Sequence, residues 1–310
     1  VTFENFAVGD GPNGKRVVGQ TKTNSNQFYW ADMSDDLTDS GNWTAIDNDI
    51  DPMGNTKSAD HGPGLAYGNG VWIAGCLTGA VSDGSGTYEG LIKSTDDAES
   101  WSLIDLNNAD PGNGKFQAVA YKGGTSGVWI VSCDDSIYRS TDNGANWTPD
   151  GASGNEVELE SGKDIMAIAY NGSGRWCAAL KGNNIYTSDD DGVNWTERSS
   201  DLGGSHAMNS VVYAKGSIQK WIMGGESGRL QTSPDGITWT QIWAGDDSTW
   251  GSAEIHQIAT DGSTICIVGG NGKVATSTDG TNFAVLNPAV TGETTALRCI
   301  CSDVVGAGMR

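Results

Sequence analysis

Seven ionisable side chains stand where a repeating chain can gather them. His61, Lys115, Asp164, His206, Glu254, His256 and Arg298 each lie at or just before the start of a short apolar segment. Asp164 and Glu254 are the residue type that glycosidic acid–base chemistry needs, provided the two face each other across a substrate. The three histidines are the whole complement of the chain and titrate between roughly pH 5 and 8. Trp250, in the stretch DDSTWGS with Trp243 close by, has the flat apolar ring of a sugar platform or a protein hot spot. The plain alternatives are polar side chains that hold only water and a Trp250 tucked over a rim. Asp47, Asp49 and Asp51 alternate as in calcium loops, but Pro52 follows where a tight loop needs glycine. No metal and no cofactor is expected.

A second set of polar residues recurs along the chain. IYRSTDNGANWT (137–148) returns as IYTSDDDGVNWT (185–196) and, with drift, as IKSTDDAESWSL (92–103). Two copies are one residue shorter, LQTSPDGITWT (230–240) and VATSTDGTNF (274–283), and a stretched copy covers 28–44. The pattern is S-x-D-x-G-x-x-W. Its members are Ser94, Asp96 and Trp101; Ser140, Asp142, Gly144 and Trp147; Ser188, Asp190, Gly192 and Trp195; Ser233, Asp235 and Trp239; and Ser277, Asp279 and Phe283. The five serines stand 46, 48, 45 and 44 residues apart, and a fixed period of that size means a repeat architecture. Ser and Asp can tie the turn to its own backbone. Gly supplies a positive φ, and Trp is an apolar anchor for the next strand.

This pattern resembles the Asp-box (BNR) repeat of sialidase-like β-propellers. It departs from it at Ala98 in place of glycine, at Phe283 in place of tryptophan, and in the short copies. The resemblance implies that the box lies on the hairpin between the two outer strands of each blade, away from the functional face, so that its aspartates are structural rather than catalytic.

Aligning on the box exposes the elements that would position the first set. Each unit starts with a strand such as GLAYG, AVAYK, AIAYN, SVVYA or QIATD. After a Gly-rich turn comes a second strand, such as VWIAGC, VWIVSC, RWCAAL, KWIMGG or TICIVGG. The third strand runs into the box and the fourth leaves at the tryptophan. Short strands rich in β-branched and aromatic residues, joined by Gly/Asn/Asp turns, are antiparallel hairpins. Four of them repeated radially make a propeller blade. Residues 1–310 are therefore expected to be one all-β propeller domain of six complete units. TALRCICSD (295–303) and VVGAG (304–308) are expected to begin a seventh. A seven-bladed ring is the expectation, and a six-bladed ring with an extra hairpin is the alternative. Insertions at 47–63, 77–90 and 149–163 fall at the end of the strands away from the boxes, together with the three histidines. Loops there are expected to form the binding face.

With 18 basic and 39 acidic residues the chain carries a net charge of −21. That disfavours nucleic acid and anionic membrane as partners, since neither phosphates nor headgroups would find cations. No apolar run reaches the roughly 18 residues of a membrane span. The six cysteines, Cys76, Cys133, Cys177, Cys266, Cys299 and Cys301, sit singly in apolar segments. There they read as buried hydrophobes of a protein made in a reducing cytosol. The opening VTFENFAV reads as a strand rather than a leader, and the expectation is that either a signal or only an initiator methionine has been removed, the cysteines leaning towards the second.

The resulting expectation is a non-catalytic interaction module. It would bind a protein or glycan through the face opposite the boxes, as part of a larger assembly such as a phage or virion appendage, acting at an extracellular surface. A sialidase-like glycoside hydrolase is the alternative. Sialidases require an arginine triad, yet Arg139 and Arg198 should lie on outer strands and Arg16 lacks the surrounding sialidase motif. A second alternative is an assembly factor resembling the photosystem II assembly propellers. Those carry a basic patch, which the acidic balance here opposes.

Overall fold

The computed structural model describes residues 3–21, 28–45, 64–75, 81–82, 87–88, 90–104, 116–148, 157–245, 248–286 and 296–298. The chain divides into two compact units, residues 1–158 and 159–309. Each contains three four-stranded antiparallel sheets.

In the first unit, blade 1 is β1 (Phe3–Gly11), β2 (Gly14–Thr21), β3 (Phe28–Asp32) and β4 (Thr44–Ala45). Blade 2 opens with β5 (Leu65–Gly68) and β6 (Val71–Gly75). The small separate hairpin β7 (Val81–Ser82) and β8 (Thr87–Tyr88) follows. β9 (Leu91–Ser94) and β10 (Ser102–Leu103) then complete the blade. Blade 3 is β11 (Phe116–Tyr121), β12 (Trp129–Cys133), β13 (Ser136–Ser140) and β14 (Val157–Glu158).

In the second unit, blade 4 is β15 (Ile165–Tyr170), β16 (Trp176–Leu180), β17 (Ile185–Ser188) and β18 (Thr196–Arg198). Blade 5 is β19 (Ser210–Ala214), β20 (Lys220–Gly224), β21 (Arg229–Ser233) and β22 (Thr240–Ala244). Blade 6 is β23 (Ile255–Thr260), β24 (Ile265–Gly269), β25 (Val274–Ser277) and β26 (Ala284–Leu286). First strands pack on first strands: β1 on β5 and β5 on β11, then β15 on β19 and β19 on β23.

The core of each unit lies between its sheets. Ala7 and Val18 of blade 1 meet Trp72, Ile92 and Trp101 of blade 2, and Ile73 and Leu91 meet Trp129, Tyr138 and Trp147 of blade 3. Cys177, Ala179 and Ile185 of blade 4 meet Trp221 and Trp239 of blade 5, and Ile222 and Trp243 meet Ile258, Ile265 and Ile267 of blade 6. The anchors Trp101, Trp147 and Trp239 thus sit between their own blade and the preceding one, where the apolar area they remove from water is largest. Trp195 and Phe283 are only half-buried.

A second aromatic repeat ties each hairpin of strands one and two. Tyr67 faces Trp72 at 4.9 Å between ring centroids, and Tyr121 faces Trp129 at 4.7 Å. Tyr170 faces Trp176 at 4.8 Å and Tyr213 faces Trp221 at 5.0 Å. Each is a directly opposed cross-strand pair, the unit in which sheets gain stability. The pair leaves no room for a side chain on the neighbouring blade, where a Cβ on Gly68 would lie 2.1 Å from the Tyr121 ring.

Three expectations are corrected. The described residues form six blades, the alternative count, rather than the expected seven. Of the expected seventh unit only 296–298 are described, without strand structure. There Leu297 N–H donates to the Gly269 carbonyl at 3.0 Å. The fourth strand of blade 3 is not the segment that directly follows Trp147, whose described part adds only a single bridge, Arg139 to Thr148. The edge is completed by β14, whose Val157 and Glu158 pair with Ile137 and Ser136, so part of the 149–163 insertion is strand. Of the other insertions, 47–63 lies outside the described residues and 77–90 contributes the β7–β8 hairpin.

Candidate functional site

Antiparallel order decides which end of the strands each turn occupies. The turns joining strands three and four lie at one end. The turns joining strands two and three lie at the other, with the approaches to the first strands.

At the first end the repeated turn closes on itself. Ser140 Oγ donates to Asp142 Oδ1 at 2.8 Å and accepts from Gly144 N–H at 2.9 Å. Asp142 Oδ1 also accepts from Asn146 N–H at 2.8 Å. Ser188, Asp190 and Gly192 repeat this at 2.8 and 2.9 Å. In the short copies the serine takes the N–H one residue earlier, from Gly236 at 2.7 Å and from Gly280 at 3.0 Å. Gly144 holds φ +78°, which glycine adopts at little cost; Ala98 takes the same left-handed conformation at φ 71°.

Burial works to raise the carboxyls of Asp96, Asp142 and Asp235, but hydrogen bonds from their own turns outweigh it and hold all three below the usual range. Backbone N–H donation by Asn194 lowers Asp190, and by Asn282 lowers Asp279. A carboxylate accepting several donors stays ionised, so these groups are fixed acceptors with little capacity for proton transfer.

Scarce cations clamp these turns from the preceding blade. Arg16 donates to the Asp97 carbonyl at 2.7 Å and to Glu99, and lies 3.8 Å from the Trp30 ring centroid. Arg175 donates to the Asp235 carbonyl at 2.6 Å while forking onto Asp189. Lys220 donates to the Asp279 carbonyl at 2.9 Å. Arg139 and Arg198 lie on β13 and β18, an inner-third and an outermost strand.

The opposite end holds the expected binding residues. His61 and Lys115 lie outside the described residues. Asp164 accepts from Lys181 Nζ, and its carbonyl accepts from Lys181 N–H at 3.0 Å. His206 is half-buried and its carbonyl accepts from Asn183 N–H at 2.8 Å. Arg298 is half-buried beside Leu297. Glu254 and His256 do come together, with Nδ1 3.9 Å from Oε2.

Sequence reading missed a third member of this group, Asn209. Its Nδ2 donates to Glu254 Oε1 at 2.8 Å and to the Ile255 carbonyl at 2.9 Å, joining the start of blade 5 to that of blade 6. The signal was positional. Asn209 stands four residues before Tyr213, as His256 stands before Thr260 and Gln117 before Tyr121, and all three side chains are largely buried.

Trp250 is not the exposed platform that the sequence allowed. It is 0% exposed, its Nε1 donates to the Ala253 carbonyl at 2.6 Å, and Lys273 Nζ donates to its carbonyl. The turn at 248–250 folds the indole back onto Trp243, where burial of two large rings outweighs exposure. Among the described residues, no three His, Cys, Asp or Glu side chains are grouped to hold a metal ion. Cys133 and Cys177 are buried and Cys266 is half-buried, and none of the three is in a disulfide.

No family model matches the sequence, and no curated protein does either. Solved structures share the fold. YCF48 bound to D1 peptide superposes with a TM-score of 0.58 at 15% identity, over 92% of this chain and 82% of that one. YCF48 from Cyanidioschyzon merolae gives 0.60 at 16%, over 96% and 89%. An ancestral GH74 enzyme gives 0.54 at 19%, over 76% of this chain and 32% of that one. At these identities the likeness shows the fold alone: this chain is an all-β propeller of four-stranded antiparallel blades.

Proposed function

We propose that this chain is a non-catalytic binding module and that its partner docks at the ends of the strands opposite the Ser-x-Asp turns. The repeated turn is read as the Asp-box of sialidase-like propellers, because its serine donates to its aspartate in five successive blades and accepts a glycine N–H in four of them, with Ala98 N–H in that place in blade 2. The observation that carries the functional reading is the contrast between the two ends. The turn carboxylates are saturated by their own backbone, whereas Glu254 at the other end is partly open, with a side chain 35% exposed. Partly exposed polar groups set on rigid strands are what a partner can recognise.

The fold likeness to a YCF48 that holds a D1 peptide supports a peptide or protein partner ahead of a glycan. The test screens peptide and glycan arrays with the intact chain, then repeats the screen with Glu254→Gln and with Asp190→Asn. The expected result is a ligand whose binding falls with the first variant and survives the second. Turnover of chromogenic glycosides, or the reverse order of the two variants, overturns the reading.

A further inference from the structure

Blade 6 has one face that is only half-covered. In blade 5 the corresponding face is closed. Val212 of β19 is 2% exposed, Ile222 of β20 and Leu230 of β21 are 0%, and all three lie in the layer shared with blade 6. The same positions on blade 6 are Ala259, Cys266 and Val274. Ala259 pairs with Cys266 as Val212 pairs with Ile222, and Val274 precedes Ser277 at the distance that Leu230 precedes Ser233. All three are half-buried. Ile73, Ile130, Cys177 and Ile222, each paired with the residue before a turn serine, are 0% exposed. Cys266, paired with Thr276, is the exception.

A described hydrogen bond shows what reaches this face. The Leu180 carbonyl of blade 4 accepts from Met208 N–H at 3.4 Å, and the Gly225 carbonyl of blade 5 accepts from Ile255 N–H at 3.0 Å. Met208 leads into β19 and Ile255 opens β23, the inner strands that pack on those blades. On blade 6 the matching carbonyl is Gly269, and it accepts from Leu297 N–H at 3.0 Å. Leu297 and Met208 alike stand outside strand structure. The sequence extends the match. Phe116 and Val119, Met208 and Val211, and Ile255 and Ile258 enter the layer against the preceding blade at a spacing of three. Leu297 and Ile300 keep that spacing, and Arg298 takes the polar place that Gln117, Asn209 and His256 hold after the first of each pair.

We infer that the chain's own segment 297–302, LRCICS, docks as an inner strand on the half-covered face of blade 6, with Ile300 packing on Ala259 and Cys266 as Ile258 packs with Val212 and Ile222. Residues 299–302 lie outside the described ones, and the Leu297 bond together with their sequence places them. Docking removes the apolar surface of Ile300, Cys266 and Val274 from water. Residues 287–296 tether the segment to β26, so it meets the face of its own chain ahead of that of a second copy. One strand is added to blade 6, and the blades remain six. The docking is independent of the partner proposed above.

The experiment follows alkylation of Cys266 by iodoacetamide in the intact chain, mapped by peptide mass spectrometry, with the fully buried Cys177 as reference. Cys266 is expected to react at least about tenfold faster in Ile300→Asp than in the native chain, because the undocked strand no longer shields it. Cys177 should stay unreactive in both, and Ile300→Leu should keep the native rate. An equal Cys266 rate in the native chain and Ile300→Asp overturns the docking. A crosslink gives a second measurement, which decides if Cys177 also becomes reactive and the substitution has unfolded the blades. In Ile300→Cys carrying Cys299→Ser and Cys301→Ser, a short bis-thiosulfonate reagent is expected to bridge position 300 to Cys266 within one chain. Absence of that bridge, or a bridge formed only between two chains, overturns the docking.

Discussion

Trp243 and Trp250 stack with ring centroids 5.2 Å apart and 13° between their planes. The pair sits in the layer between blades 5 and 6, with Phe283 edge-on to Trp243 at 5.3 Å. Trp250 thereby replaces part of the anchoring that Phe283, smaller than the tryptophan of the other turns, leaves undone. Trp250→Ala is expected to cost about 3–5 kcal/mol, as a buried aromatic truncation. Urea unfolding measures it. A midpoint left in place would return Trp250 to the surface role that the structure denies it.

The repeated turn should behave as a local fastening with a buried anchor. Trp147, 2% exposed, is expected to cost about 3–5 kcal/mol on truncation to alanine. Trp195→Ala should cost less, because its ring is half-buried. Asp142→Ala is expected to cost about 1–2 kcal/mol through lost hydrogen bonds. The ordering of the three in denaturant unfolding is the check, and Trp195 costing more than Trp147 would contradict it.

Close approach of blades at Gly68 makes a second kind of test. A Cβ there meets the Tyr121 ring at 2.1 Å, and the ring is held by Trp129 behind it. Gly68→Ala is expected to destabilise by about 1–3 kcal/mol, as overpacking. The double substitution with Tyr121→Ala should recover part of that loss, because the clash disappears with the ring. Additive costs in the double variant would show that the two do not touch.

Acid should loosen the turns in a defined direction. Asp96, Asp142, Asp190, Asp235 and Asp279 are all held below the ordinary value of 3.8 in the folded chain. Between the folded and unfolded values the unfolded chain binds more protons. The contribution of these groups is therefore complete above the unfolded value and disappears as pH falls through the folded ones. The urea midpoint is expected to change little on this account from pH 7 to about 5 and to drop steeply below about 4. In Asp142→Asn that drop should be smaller. An identical acid limb in the variant would remove Asp142 from the cause.

What the sequence determined by itself was everything carried within a few residues. Ser140, Asp142 and Gly144 bond to one another across a five-residue span, so their spacing alone specifies the turn. The 44–48-residue steps specify blades, because only a repeated supersecondary unit keeps such a period. The tyrosine–tryptophan pairs were also present in the strings GLAYG and VWIAGC, and their meeting follows from a short hairpin.

Tertiary structure alone decided the rest, because it depends on how one sheet lies against the next. Asn209 and Glu254 are 45 residues apart and meet only where blade 6 docks on blade 5. Trp250 reads in sequence as a loop residue, and packing against Trp243 makes it core. Val157 and Glu158 become the edge of blade 3 after an excursion whose length no local rule prescribes. Local hydrogen bonds specify a turn wherever it occurs; burial and long-range pairing exist only when two blades are brought face to face, and that geometry settled which polar groups meet.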